Sequence, residues 1–373
     1  MTHFLDDIFR QPSSLLSTMD YLAGVGQPML ESAAAAVRKS RHVYLTGIGS
    51  SYYAAFGALS LFDQGAHPVY MQDAAELLHF AAFPSDSVVI AISRSGQSAE
   101  IIGLLAKARE SGTIVIGLTN SEAGALAKEA QIPIVIPVGL DHAISVNTYS
   151  TLAAAAAALA SATLGSFDSE LKAALIHAAN KVEQAIPGWR DQISNGLWPT
   201  PQTTYYFLAR GSSLASCHEA RLLWEEGVKC PATAIGTGSF RHGPQEMVAE
   251  GLRFGMWIDG QRMREEDLAV ARDLGKLGAS VMVIGQNLSQ DAGDLVLQVP
   301  AAPAGWQFLF DIIPAQLAAE RLAKLSGVDC DSFRICSYIV EGESGLISEQ
   351  VAAERNKEVH RFRSQEITDV FDT

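Results

Sequence analysis

Cysteine is scarce in this 373-residue chain. Its four residues, Cys217, Cys230, Cys330 and Cys336, form no C-x-x-C pair and no Cys/His ligand spacing. A disulfide framework is thereby excluded, and reduced thiols in a cytoplasmic protein are expected. Long apolar runs are missing as well: the Ala-rich stretch Leu152–Leu164 falls short of the roughly 18 residues a membrane helix needs and reads as a buried helix. The N-terminus, MTHFLDDIFR, carries acids and no basic-then-apolar pattern, so no secretory signal is expected. Basic charge is in deficit, with 27 Lys and Arg against 41 Asp and Glu and a net charge of -14. This disfavours nucleic acid and anionic membrane as partners. The 9 histidines are scattered, and none sits in an H-E-x-x-H pattern, so neither a metal site nor a cofactor is expected. A dinucleotide fingerprint is also lacking, because Gly47-Ile48-Gly49 is followed by Tyr52 where the third glycine would stand.

What is present is a globular composition, 48% hydrophobic and 18% charged, in a chain long enough for two α/β lobes with full cores. Residues Gln11–Ser40 read as helices, with Pro12 marking an N-terminal turn. From His42 onward, strands alternate with helices. The strands are His42–Thr46, Pro68–Met71, Val88–Ile92, Thr113–Leu118 and Ile132–Ile136; the helices are Tyr52–Leu61, Ala74–Ala82, Ala99–Ser111 and Ala123–Ala130. Such alternation predicts a parallel sheet covered by helices on both faces, with ligands at the carboxyl ends of its strands.

Two serine-bearing turns fall at such ends. Ser93-Arg94-Ser95-Gly96-Gln97-Ser98 links an apolar strand to a helix, so its hydroxyls and N–H groups gather at the positive end of a helix dipole. That suits a phosphate, and it equally suits a plain Ser-capped turn. Ser50 and Ser51 fit a phosphate, a sugar hydroxyl or a helix cap. Further on, Asp141–Thr151 places hydroxyl residues, Ser145 among them, before the Ala-rich helix.

Residues 186–202, rich in Pro, Gly and polar side chains, read as a linker. Beyond it the lobe begins again: Val43–Ser51 is echoed by Tyr205–Ser213, and Val88–Ile92 by Phe254–Ile258, at a nearly constant offset. The second copy of the serine turn is Asp259-Gly260-Gln261-Arg262, with no serine cluster, so only the first lobe is expected to hold phosphate. The domains expected are a first lobe with N-terminal helices over 1–185, the linker over 186–202, a second lobe over 203–345 and a tail over 346–373. In the second lobe, Glu219 and Glu226 lie seven apart on one helix, and His242 sits on a turn stiffened by Pro244. A carboxylate and an imidazole suit proton transfer near neutral pH; a solvated helix acid and an ordinary turn histidine have the same spacing.

Taken together, the turns Gly49–Ser51, Ser93–Ser98, Arg210–Ser213 and Phe240–Pro244 resemble those of the sugar-isomerase (SIS) family. Closest in pattern are the double-SIS isomerase half of glucosamine-6-phosphate synthase and the related aminosugar-phosphate deaminases and ketoamine-phosphate deglycases. The resemblance implies two tandem doubly wound, flavodoxin-like α/β lobes. It sets Ser51, Ser93, Ser95 and Ser98 on phosphate-loop positions, with Ser50 beside them, and Arg94 where the family often has Gln. Ser145 matches a sugar-contacting serine, Glu226 the carboxylate that shuttles a proton between C1 and C2, and His242 the ring-opening imidazole. That imidazole comes from a neighbouring subunit in synthase-like members, so a homodimer is implied. Departures exist. No amidotransferase domain precedes the module, so glutamine-driven synthesis is not expected. Tyr338 and Leu223 stand where synthase-like members have lysines, so Schiff-base formation through those positions is not expected. The tail beyond Tyr338 mixes Arg355, Lys357, Arg361 and Arg363 with acids and either covers the site or a neighbour, or forms a solvated terminal helix.

The expectation is a cytoplasmic phosphosugar isomerase-type enzyme acting on an amino- or amine-substituted hexose 6-phosphate, as a deaminase or a deglycase. The alternative is a non-catalytic sugar-phosphate-binding or regulatory protein.

Overall fold

The computed structural model describes residues 1–343 and 345–346. The sequence-predicted tail over 346–373 and its four basic residues therefore lie almost wholly outside the described residues.

Two parallel five-stranded sheets form the frame. The first holds β1 (His42–Thr46), β2 (Tyr70–Met71), β3 (Ser87–Ile92), β4 (Ile114–Thr119) and β5 (Ile132–Val135) in the order β2-β1-β3-β4-β5. The second holds β6 (Tyr205–Ala209), β7 (Ala232–Gly236), β8 (Arg253–Trp257), β9 (Ser280–Gly285) and β10 (Leu295–Gln298) in the order β7-β6-β8-β9-β10. Both sheets follow one winding rule: the first strand is flanked by the second on one side and the third on the other. The duplication read in the sequence is thus a duplication of topology. Every residue of β3 is buried, as a central strand covered on both faces requires. At the switch between β1 and β3, and again between β6 and β8, the connections leave in opposite directions. The crevice between them is where a doubly wound sheet binds ligands.

The lobes meet through equivalent helices. Ser50–Gln64, which follows β1, packs against Leu214–Leu223, which follows β6. On the first of these helices Gly57 makes room for Phe308, from the short helix Phe308–Asp311 after β10: a Cβ there would sit 2.2 Å from the Phe308 Cζ. One hydrophobic core runs through residues of both lobes, from Val43 and Leu45 to Phe207 and Trp257, and smaller clusters cover the outer face of each sheet. The Ala-rich helix, Asn147–Thr163, is buried at every position except Ala162, as expected for a helix whose small side chains let neighbours crowd it from all sides. Its first turn is held by the buried Asp141 carboxylate, which accepts from the N–H groups of Val146, Asn147 and Thr148, each at 2.9 Å. Among the described residues no helix is long and apolar enough to cross a membrane.

Two boundaries differ most from the sequence reading. The first helix runs His3–Leu22, capped by Thr2, so Pro12 lies inside it rather than at its start. The helix Ser169–Asn195 runs through most of the stretch read as a linker and carries Pro187 within it. Its far end stays helical because Ile186, Trp189 and Ile193 are buried, and Trp189 Nε1 donates to the Gln298 carbonyl at 2.9 Å. Packing against the second sheet outweighs the local cost of the proline. The connection into β6 is only residues 196–204.

Candidate active site

At the end of β1 the chain must turn at once into a helix. Gly49 does this with φ of 55°, and the helix opens at Ser50. At the end of β3, Ser93 begins a tight loop around Gly96, whose φ is 64° and where a Cβ would come within 2.9 Å of the Leu126 Cβ. Inside the loop the Ser93 Oγ accepts from the Gly96 N–H (3.1 Å) and the Ser95 Oγ from the Gln97 N–H (3.2 Å). Ser98 is the N-cap residue of the Ala99–Ser111 helix, yet its hydroxyl makes no capping bond. It is therefore available to a ligand at the positive end of a thirteen-residue helix.

These two turns, with the segment before the Ala-rich helix, enclose a cavity of about 210 Å³. Its lining brings together Ser50, Ser51, Ser93, Arg94, Ser95, Ser98, Ser145 and Glu226. Glu226 comes from the second lobe, where the Leu214–Leu223 helix gives way to a π-helical turn over Trp224–Val228. Such turns are wider than α-helix and recur at functional sites. Lys229, with φ of 58°, ends it, and its ammonium donates to the carbonyls of Glu226, Asp329 and Ser332. Seven residues before Glu226, the fully buried Glu219 accepts a hydrogen bond from the Ser50 Oγ at 2.8 Å. Both acids therefore face the first lobe, one behind the cavity wall and one within it.

The electrostatics single out Glu226. Burial pushes its carboxyl up to about 7, against the pull of the Arg94 and Lys229 cations. Glu219 is raised well above the usual carboxylate range by burial, although the Ser50 hydrogen bond opposes this. Arg94 is the cation of the cavity. Its guanidinium donates to the Ser145 Oγ (3.0 Å), the Ala143 carbonyl (3.3 Å) and the Tyr338 carbonyl (2.7 Å), and it stacks 3.9 Å from the Tyr338 ring centroid.

Tyr338 belongs to a chain segment that closes one side of the cavity. Phe333 and Cys336–Val340 line it, Tyr338 Oη donates to the Asp141 carbonyl at 3.2 Å, and the Val340 carbonyl accepts from the Ala99 N–H at 3.1 Å. His242 is not brought here. It is exposed on the turn between the Thr237–Phe240 helix and Pro244, and its only placement in this chain is on the surface of the second lobe. Sequence reasoning passed over Asp141, Lys229 and Glu100. Glu100 lines the cavity with a buried Oε2 that has no hydrogen-bond partner. A lone acid after a run of serines, and a lysine three residues beyond a glutamate, were the available signals.

Comparison with known proteins bears on the fold that carries this cavity. The family model described as the SIS domain matches residues 36–163. That stretch of the first lobe is similar to a SIS domain. The second lobe repeats the same strand order beyond the matched residues. Glutamine–fructose-6-phosphate aminotransferase [isomerizing] of Pyrobaculum aerophilum is 26% identical over 344 residues, which are 89% of this chain and 56% of that protein. The same enzyme of Aeropyrum pernix is 27% identical over 355 residues, again 89% of this chain and 56% of the relative. The chain thus spans about half the length of the curated relatives it matches. Among solved structures, glucosamine-6-phosphate deaminase of Thermotoga maritima superposes with a TM-score of 0.77 at 20% identity, covering 91% of this chain and 99% of that one. Tagatose-6-phosphate ketose/aldose isomerase of Escherichia coli gives 0.78 at 19% identity, covering 90% and 97%. These likenesses extend the two-lobed SIS fold over nearly the whole of the described chain.

Proposed function

We propose that the first-lobe cavity takes an amino- or amine-substituted hexose 6-phosphate and that Glu226 moves a proton between C1 and C2 of its open-chain form. The phosphate would meet Ser51, Ser93, Ser95, Ser98 and the Arg94 cation, and Ser50 and Ser145 would contact the sugar. With a 2-amino aldose, proton transfer from C2 to C1 gives a 2-imine; addition of water then releases ammonia and leaves the ketose phosphate. With a 1-amino ketose, transfer from C1 to C2 gives a C1 imine, and water releases the amine and leaves the aldose phosphate. One carboxylate serves either direction, as base in the first half-step and acid in the second. The observation that carries the reading is the Glu226 carboxyl, drawn from the second lobe into the first lobe's serine cavity and pushed by burial up to about 7. A group that must take and return a proton works best with its pKa near the working pH.

His242 completes the reading only as a residue of a second copy, opening the sugar ring across a homodimer interface, since its own chain leaves it exposed and apart from the cavity. One observation favours a second reading, a sugar-phosphate-binding protein without turnover. Tyr338 covers Arg94 where synthase-like proteins carry a lysine. A single experiment separates the two. Purified protein and its Glu226→Gln variant are incubated with glucosamine 6-phosphate, a ketoamine 6-phosphate and fructose 6-phosphate, with ammonia, amine and sugar products followed. The enzyme reading expects product from the parent chain, turnover lower by about a hundredfold to ten-thousandfold in the variant, and ligand affinity changed little. Full activity in the variant refutes the role of Glu226; tight binding with no product from the parent chain selects the second reading.

A further inference from the structure

The second sheet has a crevice of its own, and it is the larger one. At the switch between β6 and β8, a cavity of about 600 Å³ lies between Arg210–Ser213, Ile258–Met263 and the chain after β10. Topologically it is the twin of the first cavity, and the twin relation extends to the helix that crosses between lobes. Glu226 follows Gly211 by fifteen residues and reaches the first cavity; Gln64 follows Gly49 by fifteen residues and lines the second. The position of the acid/base is thus held by a neutral amide, which cannot shuttle a proton.

The anion cradle is also gone, and the structure shows why. Where the first lobe's loop meets its N–H groups with neutral serine hydroxyls and leaves the Ser98 hydroxyl uncapped, the second turns a carboxylate onto its own. Asp259 Oδ2 accepts from the N–H groups of Arg262 (2.6 Å) and Met263 (2.7 Å). A phosphate would have to displace this internal carboxylate and then face its charge. The cations nearby offer little relief. Arg210 is paired through Nε with the buried Asp267 at 2.7 Å, leaving Arg262 against the carboxylates of Asp63, Asp259 and Asp311 in the wall. Asp311 is buried, bonded to the hydroxyls of Ser213 and Ser216, and has no basic partner among the described residues. The other polar groups of the lining include the amides and hydroxyls of Gln64, Ser212, Gln261 and Gln286, set among apolar residues such as Ile258, Ile284 and Val299.

We infer that the second cavity is a non-catalytic binding site for a phosphate-free polyhydroxylated ligand bearing an amine, the class of an unphosphorylated aminosugar. Hydroxyl groups match the amide and serine lining, an ammonium matches the carboxylate excess, and the self-capped Asp259 loop rejects the phosphorylated counterpart. The inference rests on the second cavity, lined by the second lobe and by the end of the first-lobe helix, and stands apart from what the first cavity turns over.

Glucosamine is the probe, with glucose and glucose 6-phosphate as comparisons, titrated calorimetrically into the full chain. Glucosamine is expected to bind, to do so more tightly than glucose, and to remain bound when glucose 6-phosphate saturates the first cavity. Asp63 is exposed in the last turn of its helix, so Asp63→Lys tests charge without touching the core. It should weaken glucosamine by about tenfold or more, and leave glucose 6-phosphate within about twofold. Gln64→Ala, also at an exposed position, gives a second, charge-neutral check and should weaken glucosamine too. The inference is overturned if glucosamine fails to bind, if glucose 6-phosphate displaces it, or if neither variant changes its affinity.

Discussion

Glu226→Gln should stabilise this protein, and the gain should depend on pH in a way fixed by the site. Burial raises the Glu226 carboxyl from an ordinary 4.5 to about 7. A carboxyl raised in the folded state binds its proton more tightly there than in the unfolded chain. Its contribution to stability is fully present below about 4.5, and is lost as pH rises through about 7. Glutamine is neutral at every pH and escapes that loss. A carboxyl raised from 4.5 to about 7, at about 1.4 kcal/mol for each tenfold change in proton affinity, sets an upper bound near 3.5 kcal/mol, which partial exposure of the side chain reduces to about 2 kcal/mol. The assay is urea unfolding of both proteins at pH 5 and pH 8. At pH 5 the two should differ by less than about 1 kcal/mol, and at pH 8 the variant should be ahead by about 2 kcal/mol or more. Asp311 is raised to about 7 as well, but it is present in both proteins and its effect cancels in the difference. An equal gain at both pH values, or none at pH 8, would refute the claim that the carboxylate is held in a desolvated place.

Two further outcomes are expected. If sites are shared between copies, mixing inactive Glu226→Gln with inactive His242→Ala should restore about a quarter of the parent activity, because half the dimers are mixed and each has one intact site; no recovery after subunit exchange places His242 outside the reaction. Asp141→Ala leaves three buried N–H groups of the Ala-rich helix without an acceptor, and denaturant unfolding should show a loss of about 3 kcal/mol or more, against under about 1 kcal/mol if the carboxylate were incidental.

Much of the frame was legible because local and global signals agreed. The Ala99–Ser111 helix matches to the residue, since a serine turn opens it and Gly112, with φ of 68°, ends it. His42–Thr46 matches likewise, an apolar strand closed by glycine. Failures came where distant packing decided the outcome. Pro12 and Pro187 both looked like breaks, but each sits in a helix whose neighbouring side chains are buried against another element. The cavity residues were legible as serine turns plus one glutamate. What closes them was not: the stack of Tyr338 on Arg94 joins residues far apart in sequence, and no periodicity records such a contact. The π-helical turn that presents Glu226 left no pattern either, because one widened turn does not alter apolar spacing over ten residues.

The crossing of the two helices between lobes has a consequence for ancestry. The serine turns and the Glu226 that shares their cavity belong to different repeats, so neither repeat alone holds the whole of the proposed site. A single ancestral lobe carrying both elements would have needed a second copy of itself, set about a two-fold axis, and that pair would have held two equal sites. Joining the copies in one chain made one site dispensable. Asp259 folded over its own loop and Gln64 at the acid's position are what such a released site looks like once selection for the reaction has left it.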